Sequence, residues 1–277
     1  MSGIKLVTVP IGNKDDITIR ALKAIQETRV IYSEDTRVFK ELCKRLQLDY
    51  SGKEIRSFHD HSSDKVLEGI FEIAASEGCV FVSDAGSPLI SDPAFPLILK
   101  AIENGVELDT CSGISSVVAA LELSGLAPIP FHFHGFLARD KSKINQDISK
   151  VKSQYGTHIF FEGKSRVIST LEMMAKEFPD LKMALCRELT KEFQSVYRFK
   201  GEEFGKIKDD IFVKGEFVIL VENSKKQTAA SSSEELIKLA EEIISGGTKP
   251  KKLAKLLGLI TGKPTKDIYN EISGTRQ

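Results

Sequence analysis

The 277-residue chain lacks several features that would assign it directly to a functional class. No apolar run reaches the ~18 residues that a membrane-spanning helix needs. Residues 1–13 have no basic segment followed by an apolar core, so they predict a first strand rather than a signal peptide. The four cysteines lie far apart and form no C-x-x-C pair, which makes a zinc site unexpected and favours the reducing cytoplasm. We therefore expect a cytoplasmic protein that binds no metal and does not enter a membrane.

An excess of charge of one sign is also absent, because 39 basic residues balance 39 acidic ones. A protein held to nucleic acid by bulk charge would be strongly basic, so an RNA substrate would require a local concentration of Lys and Arg. The chain also lacks a G-x-G-x-x-G fingerprint and a Walker A loop. These absences disfavour a Rossmann dinucleotide site and a P-loop nucleoside triphosphatase.

Apolar strand-like runs alternate regularly with helical patterns over residues 1–125, which predicts an α/β domain with a largely parallel sheet. Asp16 is a plausible N-cap of the first helix, Pro93 suits the first turn of the fourth, and Gly105 suits the position after its end. The predicted strands are residues 4–9, 30–33, 79–83 and 107–111. The predicted helices are residues 18–27, 37–46, 65–77, 93–104 and 116–123.

A Gly- and Pro-rich break at residues 125–130 predicts a domain boundary, after which a second α/β domain covers residues 126–224. Residues 224–233 are polar and rich in Lys and Ser, which is typical of a flexible linker. A small helical domain then occupies residues 233–277. The predicted strands of the second domain are residues 131–136, 158–161, 183–187, 196–200 and 217–222, its helices are 143–153 and 167–177, and the tail helices are 234–245, 250–257 and 267–272.

Four loops that follow predicted strands are rich in small and turn-forming residues. They read PIGN at residues 10–13, EDTR at 34–37, DAGSPLISD at 84–92 and SGISS at 112–116. Ligands of open α/β sheets bind at the carboxyl ends of the strands, where small residues let the backbone approach them. We therefore expect the binding site of this protein among these loops.

The amino-acid sequences of these loops are distinctive. VPIGNKDDITIRAL, SEDTR and SDAGSPLISDP resemble, in this order, the signature motifs of the ribosomal RNA small subunit methyltransferase I family, within the tetrapyrrole methylase superfamily. FHFHGFLAR, RELTKEF, KGEFVILV and the tail segment LAKLLGLITGKPTKDIYNEI continue the resemblance along nearly the whole chain. The resemblance implies two α/β domains with S-adenosylmethionine in the cleft between them, a small helical C-terminal domain and a homodimer. It also implies methyl transfer to the ribose 2′-hydroxyl of a decoding-site cytidine of 16S rRNA in the small ribosomal subunit.

Three segments depart from the family pattern. CSGISS at residues 111–116 stands where the family usually has PGPSA, and EGKSR at residues 162–166 stands where it usually has ESPHR. Residues 94–96 read AFP instead of GYR. The glutamate and arginine at the two ends of the second motif are retained, and the departures leave the family resemblance intact.

The resemblance implies cofactor-binding residues in five loops. In this chain they are Pro10, Asp84, Ser87, Leu89, Ile90, Ser115, Ser116, Leu189, Gly215, Glu216, Phe217 and Val218. Asp84 can accept a hydrogen bond from a ribose hydroxyl or offset cationic charge, or it can simply cap its own loop. Leu89, Ile90 and Phe217 would form an apolar wall against the adenine.

Methyl transfer to a hydroxyl requires loss of the hydroxyl proton, which a carboxylate acting as general base can accept. The candidates are Asp35 and Glu162, although each can instead pair with a nearby arginine, and the reaction can also proceed without a dedicated base. Basic residues beside the loops would hold the RNA phosphates. These candidates are Arg37, Arg139, Lys141, Arg166, Arg187 and Lys191, with a further basic cluster of Lys249, Lys251, Lys252 and Lys255 in the tail. For His59 and His61 we prefer a loop role to metal binding.

The sequence is also compatible with two other functions. One is a relative within the superfamily that methylates a porphyrin-type macrocycle, and the basic loop residues argue against it. The other is a non-catalytic RNA-binding or ribosome-assembly factor, which the intact PIGN, SDAGSP and KGEF loops disfavour. Titration with S-adenosylmethionine separates an enzyme from such a factor.

Overall fold

A computed structural model describes residues 2–58, 64–90, 94–224, 243–244, 246–247, 249–261 and 264–273. The chain divides into two compact units. The first comprises Met1–Lys152 and Gly156–Ser224, and the second comprises Ser153–Tyr155 and Lys225–Gln277. Among the described residues, no helix is both long and apolar enough to cross a membrane.

The first sheet of the larger unit is parallel throughout, with strand order β3-β2-β4-β1-β5. Every residue of β2 and β4 is buried, as expected for a parallel sheet covered by helices on both faces. Two apolar clusters pack against opposite faces of the sheet. The strands are β1 (Ile4–Val7), β2 (Val30–Ser33), β3 (Glu54–Ser57), β4 (Cys79–Val82) and β5 (Leu108–Cys111), and the helices are α1 (Ile19–Glu27), α2 (Thr36–Arg45), α3 (Asp64–Ser76), α4 (Phe95–Glu103) and α5 (Ser116–Ser124).

The sequence-based description of this half needs three corrections. Strand β3 was not predicted, because its sequence EIRS contains a single strongly apolar residue and lies at the edge of the sheet. The N-cap of α1 is Thr18, whose hydroxyl accepts the N–H of Ala21, whereas Asp16 belongs to a preceding 3₁₀ turn. Helix α4 begins at Phe95, so Pro96 occupies its first turn, and Pro93 lies outside the described residues.

The second sheet is mixed, with strand order β6-β7-β10-β8-β9. Only the β6–β7 pair is parallel; β10 runs antiparallel to both β7 and β8, and β9 runs antiparallel to β8. Its elements are β6 (Phe131–Phe136), α6 (Lys141–Ser153), β7 (Gly156–Gly163), α7 (Val167–Glu177), β8 (Lys182–Arg187), β9 (Ser195–Lys200), α8 (Phe204–Ile207) and β10 (Glu216–Asn223).

Helix α5 joins the two halves of the larger unit. Its buried residues Val117, Ala120 and Leu121 pack in one apolar cluster with Ala184 of β8 and Leu220 of β10. The predicted boundary at residue 125 therefore separates two sheets, but the helix before it shares a core with the second sheet. Gly125 ends α5 in the left-handed conformation, with φ +73°.

The smaller unit contains helices α9 (Pro250–Thr261) and α10 (Thr265–Ser273). Leu253, Ala254 and Leu257 of α9 pack against Ile268 and Ile272 of α10, which gives this unit an apolar cluster of its own. The predicted linker at residues 224–233 and most of the predicted helix at residues 234–245 lie outside the described residues.

Candidate active site

A cavity of about 370 Å³ lies where the strand ends of the two sheets meet. This volume falls in the range of about 300–1,000 Å³ that is typical of small-molecule sites. The first sheet contributes the loops after β1, β2, β4 and β5, and the second contributes the ends of β6, β7 and β8 and the beginning of β10. The lining residues are Ile11, Glu34, Asp84, Ala85, Gly86, Ser87, Ile90, Ile114, Ser115, Ser116, Phe136, Phe161, Glu162, Gly163, Leu189, Gly215, Glu216, Phe217 and Val218.

The structure brings ten of the twelve cofactor-binding candidates into this lining. Pro10 instead lines a neighbouring groove of about 1140 Å³. Leu89 packs against the core cluster that contains Phe81, so it does not contribute to the expected apolar wall. Phe217 and Ile90 do line the cavity, and Ile90 is 46% exposed.

Hydrogen bonds to backbone atoms hold the loop after β4 in place. Val9 and Gly86 exchange two hydrogen bonds, with N···O distances of 2.9 and 3.1 Å, and the hydroxyl of Ser83 donates to the carbonyl oxygens of Ala85 and Gly86. Gly86 has φ +76°, a conformation that favours glycine. The Oδ1 atom of Asp84 accepts the N–H of Asp35 at 2.9 Å, so this carboxylate also braces the loop after β2.

The N-terminus of α5 opens into the cavity. Ser115 is the N-cap of this nine-residue helix, and its hydroxyl makes no capping hydrogen bond. Ser115 and Ser116 both line the cavity. A helix N-terminus presents unpaired N–H groups and the positive end of the helix dipole, so this corner of the cavity favours an anionic ligand group.

Gly215 shapes the opposite wall. Its φ of +107° lies in the left-handed region, and a Cβ at this position would overlap the carboxyl group of Glu188. That carboxylate accepts the N–H of Glu216 at 3.0 Å and contacts Nζ of Lys191 at 3.0 Å. Glycine therefore allows Glu188 to pack against the loop that leads into β10.

Both candidate bases are engaged in local contacts. The carboxylate of Asp35 caps α2 by accepting the N–H of Arg37 at 2.8 Å and forms an ion pair with the Arg37 guanidinium at 2.6 Å. The hydrogen bond from the Arg37 guanidinium lowers the pKa of Asp35 well below its usual range, which makes Asp35 a weak base.

Glu162 has a fully buried side chain in which both oxygens accept hydrogen bonds. Oε1 accepts from Gly163 N at 2.8 Å and from Arg166 Nε at 3.0 Å, and Oε2 accepts from the hydroxyl of Thr170 at 2.8 Å. These contacts hold the end of β7 to α7, so they favour a structural role for Glu162.

The substrate-binding candidates fall into two groups. Arg166 and Arg187 point inward: Arg166 donates to the carbonyl oxygens of Leu137 and Ala138, and Arg187, only 6% exposed, donates to those of Phe193 and Lys214. These contacts favour a positioning role for both arginines rather than the expected contact with RNA. Lys191 is also engaged, because it pairs with Glu188 and Glu216.

The other candidates lie at the surface. The Arg37 side chain is 88% exposed and lines the 1140 Å³ groove beside the cavity, together with Lys14 and Arg45. Arg139 is exposed just after β6. Lys141 begins α6, and its side chain lies outside the described residues, as do His59 and His61. The tail lysines are exposed around the start of α9.

Sequence reasoning missed eight residues of the cavity lining. They are Ile11, Glu34, Ala85, Gly86, Ile114, Phe136, Phe161 and Gly163. Five of them lie within the four loops that the strand-end argument selected, so a wider reading of those loops would have included them, and Gly163 lies in the EGKSR segment at residues 162–166. Phe136 and Phe161 stand at the ends of apolar strands, where sequence alone does not distinguish a core phenylalanine from a cavity-lining one. No group of three or more metal-ligating side chains occurs among the described residues.

Comparisons with known proteins agree with this architecture. Residues 3–205 match the family profile of Tetrapyrrole (Corrin/Porphyrin) Methylases. The chain is similar to the protein of Halalkalibacterium halodurans named ribosomal RNA small subunit methyltransferase I, with 32% identity over 96% of this chain and 92% of the relative.

Two solved structures share the fold at low sequence identity. A diphthine synthase superposes with a TM-score of 0.62, at 17% identity over 79% of this chain and 88% of that chain. The uroporphyrin-III C-methyl transferase of Thermus thermophilus, solved with S-adenosyl homocysteine, superposes with a TM-score of 0.53, at 15% identity over 80% and 98% of the two chains. The chain thus belongs to the tetrapyrrole methylases and, within them, to the ribosomal RNA small subunit methyltransferase I family of methyltransferases, as its loop motifs predict.

Proposed function

We propose that the protein transfers a methyl group from S-adenosylmethionine to the ribose 2′-hydroxyl of a decoding-site cytidine in 16S rRNA. The observation that carries the proposal is the 370 Å³ cavity, which is lined by strand-end loops of both sheets. Small-subunit ribosomal RNA as the substrate is supported by the name of a relative that aligns with nearly the whole chain. The ribose of a decoding-site cytidine is what the resemblance of the loop motifs implies.

The residues of the cavity fit S-adenosylmethionine chemically. The free hydroxyl of Ser115 and the N-terminus of α5 suit the carboxylate of its amino acid part. Asp84 suits a ribose hydroxyl or the ammonium group. Ile11, Leu189 and Val218 provide apolar surface for the adenine.

When bound, this cofactor supplies a methyl group that its sulfonium has already activated. The work that remains for the chain is to bind the acceptor, align its hydroxyl behind that methyl and exclude water, and such alignment is a large source of rate enhancement. Because the carboxylates of Asp35 and Glu162 are both engaged in structural contacts, we favour a reaction driven by alignment over one driven by a dedicated base.

Variants at these two carboxylates test that preference. If either residue were the base, alanine there would slow single-turnover methylation about a hundred-fold or more while leaving RNA binding near normal. We instead expect Asp35→Ala to alter the loop after β2, and Glu162→Ala to lower the thermal stability. Selective loss of turnover in a stably folded variant would restore the general-base assignment.

We also propose that exposed cations beside the cavity position the RNA through its phosphates, with Arg37 and Arg139 as the leading candidates. The helical tail would add its lysines to this contact. A homodimer, which the family resemblance implies, remains a further proposal that sedimentation of the purified protein would test.

The deciding experiment for the proposed function offers the purified protein labelled S-adenosylmethionine and competing acceptors. Small ribosomal subunits that lack the modification should accept the methyl group, whereas a uroporphyrinogen-type macrocycle should not. Labelling of the macrocycle alone would favour the alternative enzyme of the superfamily. Cofactor binding without transfer to either acceptor would favour an assembly factor.

A further inference from the structure

We propose that Phe136 is a stacking platform for the nucleobase of the nucleotide that is methylated. This inference rests on the proposed function and names a substrate contact within the same cavity. Phe136 ends β6 and lines the cavity, yet the residue is 60% exposed. The other exposed phenylalanines among the described residues, at positions 95, 131, 193 and 212, do not line it.

A β-bulge directs Phe136 into the cavity. In the parallel pairing of β6 with β7, Phe133 is opposite Ile159 and Phe136 is opposite Phe161, so three steps along β6 match two steps along β7. Gly135, with φ +70°, lies inside this irregularity. Successive side chains of a strand alternate between its faces, so without the extra residue Phe136 would point to the face opposite Phe133. Bulges that redirect a side chain in this way are frequent beside active sites.

The opposite face of β6 carries His134. His134 stacks on Phe160 with a ring-centroid distance of 4.6 Å and forms a 2.9 Å hydrogen bond with His158. A regular strand would direct Phe136 to that face. The bulge instead brings its ring against Phe161, edge to face, with a centroid distance of 5.5 Å and an interplanar angle of 70°.

The contacts of Phe161 support the ring of Phe136 from one side. Its ring also packs edge to face with Phe133, at a centroid distance of 4.8 Å. Phe161 and the next two residues, Glu162 and Gly163, line the cavity beside Phe136. Phe136 is therefore the exposed end of a supported aromatic row, and most of its ring surface remains free for a ligand.

The chemistry of the substrate favours a nucleobase as that ligand. A ribose hydroxyl that reaches the cavity brings its attached base with it, and unstacked bases of single-stranded RNA are commonly held by aromatic side chains. A base on Phe136 would lie in the cavity that carries the cofactor loops. The 1140 Å³ groove that contains Arg37 adjoins this cavity, because Asp84 lines both. The groove therefore offers a path for the flanking phosphates.

A single-tryptophan variant reports stacking directly, because the natural chain contains no tryptophan. In Phe136→Trp, we expect small ribosomal subunits, and separately a short single-stranded cytidine-rich RNA, to quench the indole fluorescence. S-adenosyl homocysteine alone should leave it unchanged. Quenching by S-adenosyl homocysteine, or no quenching by either RNA, would overturn the inference.

Activity measurements complete the test. Phe136→Ala should lower the affinity for small subunits by about ten-fold or more, as loss of a base-stacking ring does, while S-adenosylmethionine binds as it does to the wild type. Phe136→Trp should retain most of the wild-type affinity. The matched control is Phe131→Ala, which removes a 44% exposed ring from the same strand outside the cavity and should have no effect.

The proposed methyl transfer and the stacking role of Phe136 can be refuted separately. If the wild type transfers no methyl group to small-subunit RNA, the proposed function is wrong, and quenching by the short RNA still decides whether the ring stacks on bases. If the wild type is active and Phe136→Ala binds subunits normally, or loses cofactor affinity instead, the stacking role of Phe136 is refuted.

Discussion

Replacement of Gly215 by alanine should weaken S-adenosylmethionine binding. The residue holds φ +107°, a left-handed conformation that costs a residue with a Cβ about 1–2 kcal/mol. The new methyl group would also overlap the carboxyl group of Glu188, which then has to leave its contacts with Glu216 N and Lys191. Because residues 212–214 and 216 are exposed, the loop can relieve the strain by moving rather than by unfolding the sheet.

The strain converts into a measurable loss of affinity. A shift of the loop moves residues 215–218, all of which line the cavity, so the cost of about 1–2 kcal/mol should appear as roughly five- to thirty-fold weaker binding. Calorimetric titration with S-adenosylmethionine measures this, and thermal unfolding should change little. The bulkier Gly215→Val should abolish binding in a protein that remains folded.

Gly163→Ala is the matched control for this prediction. Gly163 also lines the cavity, but a Cβ there meets no heavy atom within 4 Å and its φ lies outside the left-handed region. It should therefore bind the cofactor like the wild type. Equal affinities for Gly215→Ala and the wild type would refute the role that we assign to the loop before β10.

Four other parts of the chain can be tested by mutation. Arg37→Ala should weaken RNA binding about ten- to a hundred-fold through loss of a charge-assisted contact and make its salt dependence shallower, with cofactor affinity unchanged; an unchanged salt slope would contradict this. Arg187→Ala should lower the free energy of unfolding, measured in urea titrations, by about 1.5–3 kcal/mol. Arg187→Lys should restore little of this stability, because an ammonium group cannot both donate to the two carbonyl oxygens and stack on the Phe212 ring as the guanidinium does. Burial, and after it the charge interaction with His158, lowers the pKa of His134 from 6.5 to about 4, so between these values the unfolded chain binds more protons than the folded one. The free energy of unfolding should therefore reach its full value above about pH 6.5 and fall towards pH 4. His134→Gln should flatten this pH dependence. Deletion from Ser231 onward should leave cofactor binding intact and weaken binding to the small subunit, since α9 and α10 have their own apolar cluster; failure of the shortened chain to fold would contradict that division.

Sequence patterns predicted the features of the fold that depend on local periodicity and strand-end chemistry. The buried runs of β2 and β4 are apolar at every or nearly every position, and the loop after β4 carries the small residues that its bridge with Val9 requires. Strand β3 was missed because an edge strand can be polar. The mixture of parallel and antiparallel strands in the second sheet could not be predicted from the sequence either, because the direction of strand pairing depends on contacts between residues distant in the chain.

Side-chain roles were less predictable than loop positions. Arg166 and Arg187 were expected to face RNA because arginines beside a cleft commonly bind phosphates, but both satisfy backbone carbonyl oxygens inside the protein. The residue type suggested a phosphate contact, whereas the direction in which each arginine side chain points depends on α7 and on the loop before β10. Phe136 illustrates the same limit, because a one-residue bulge decides which face of the strand it occupies.

A map of ribose methylation on 16S rRNA, from cells with and without the gene for this protein, tests the proposed function. We expect one 2′-O-methylated cytidine at the decoding site that disappears with the gene and returns with the wild-type protein. It should not return with Gly215→Val. An unchanged methylation pattern, or loss of a methyl group from a base rather than from a ribose, would contradict the account.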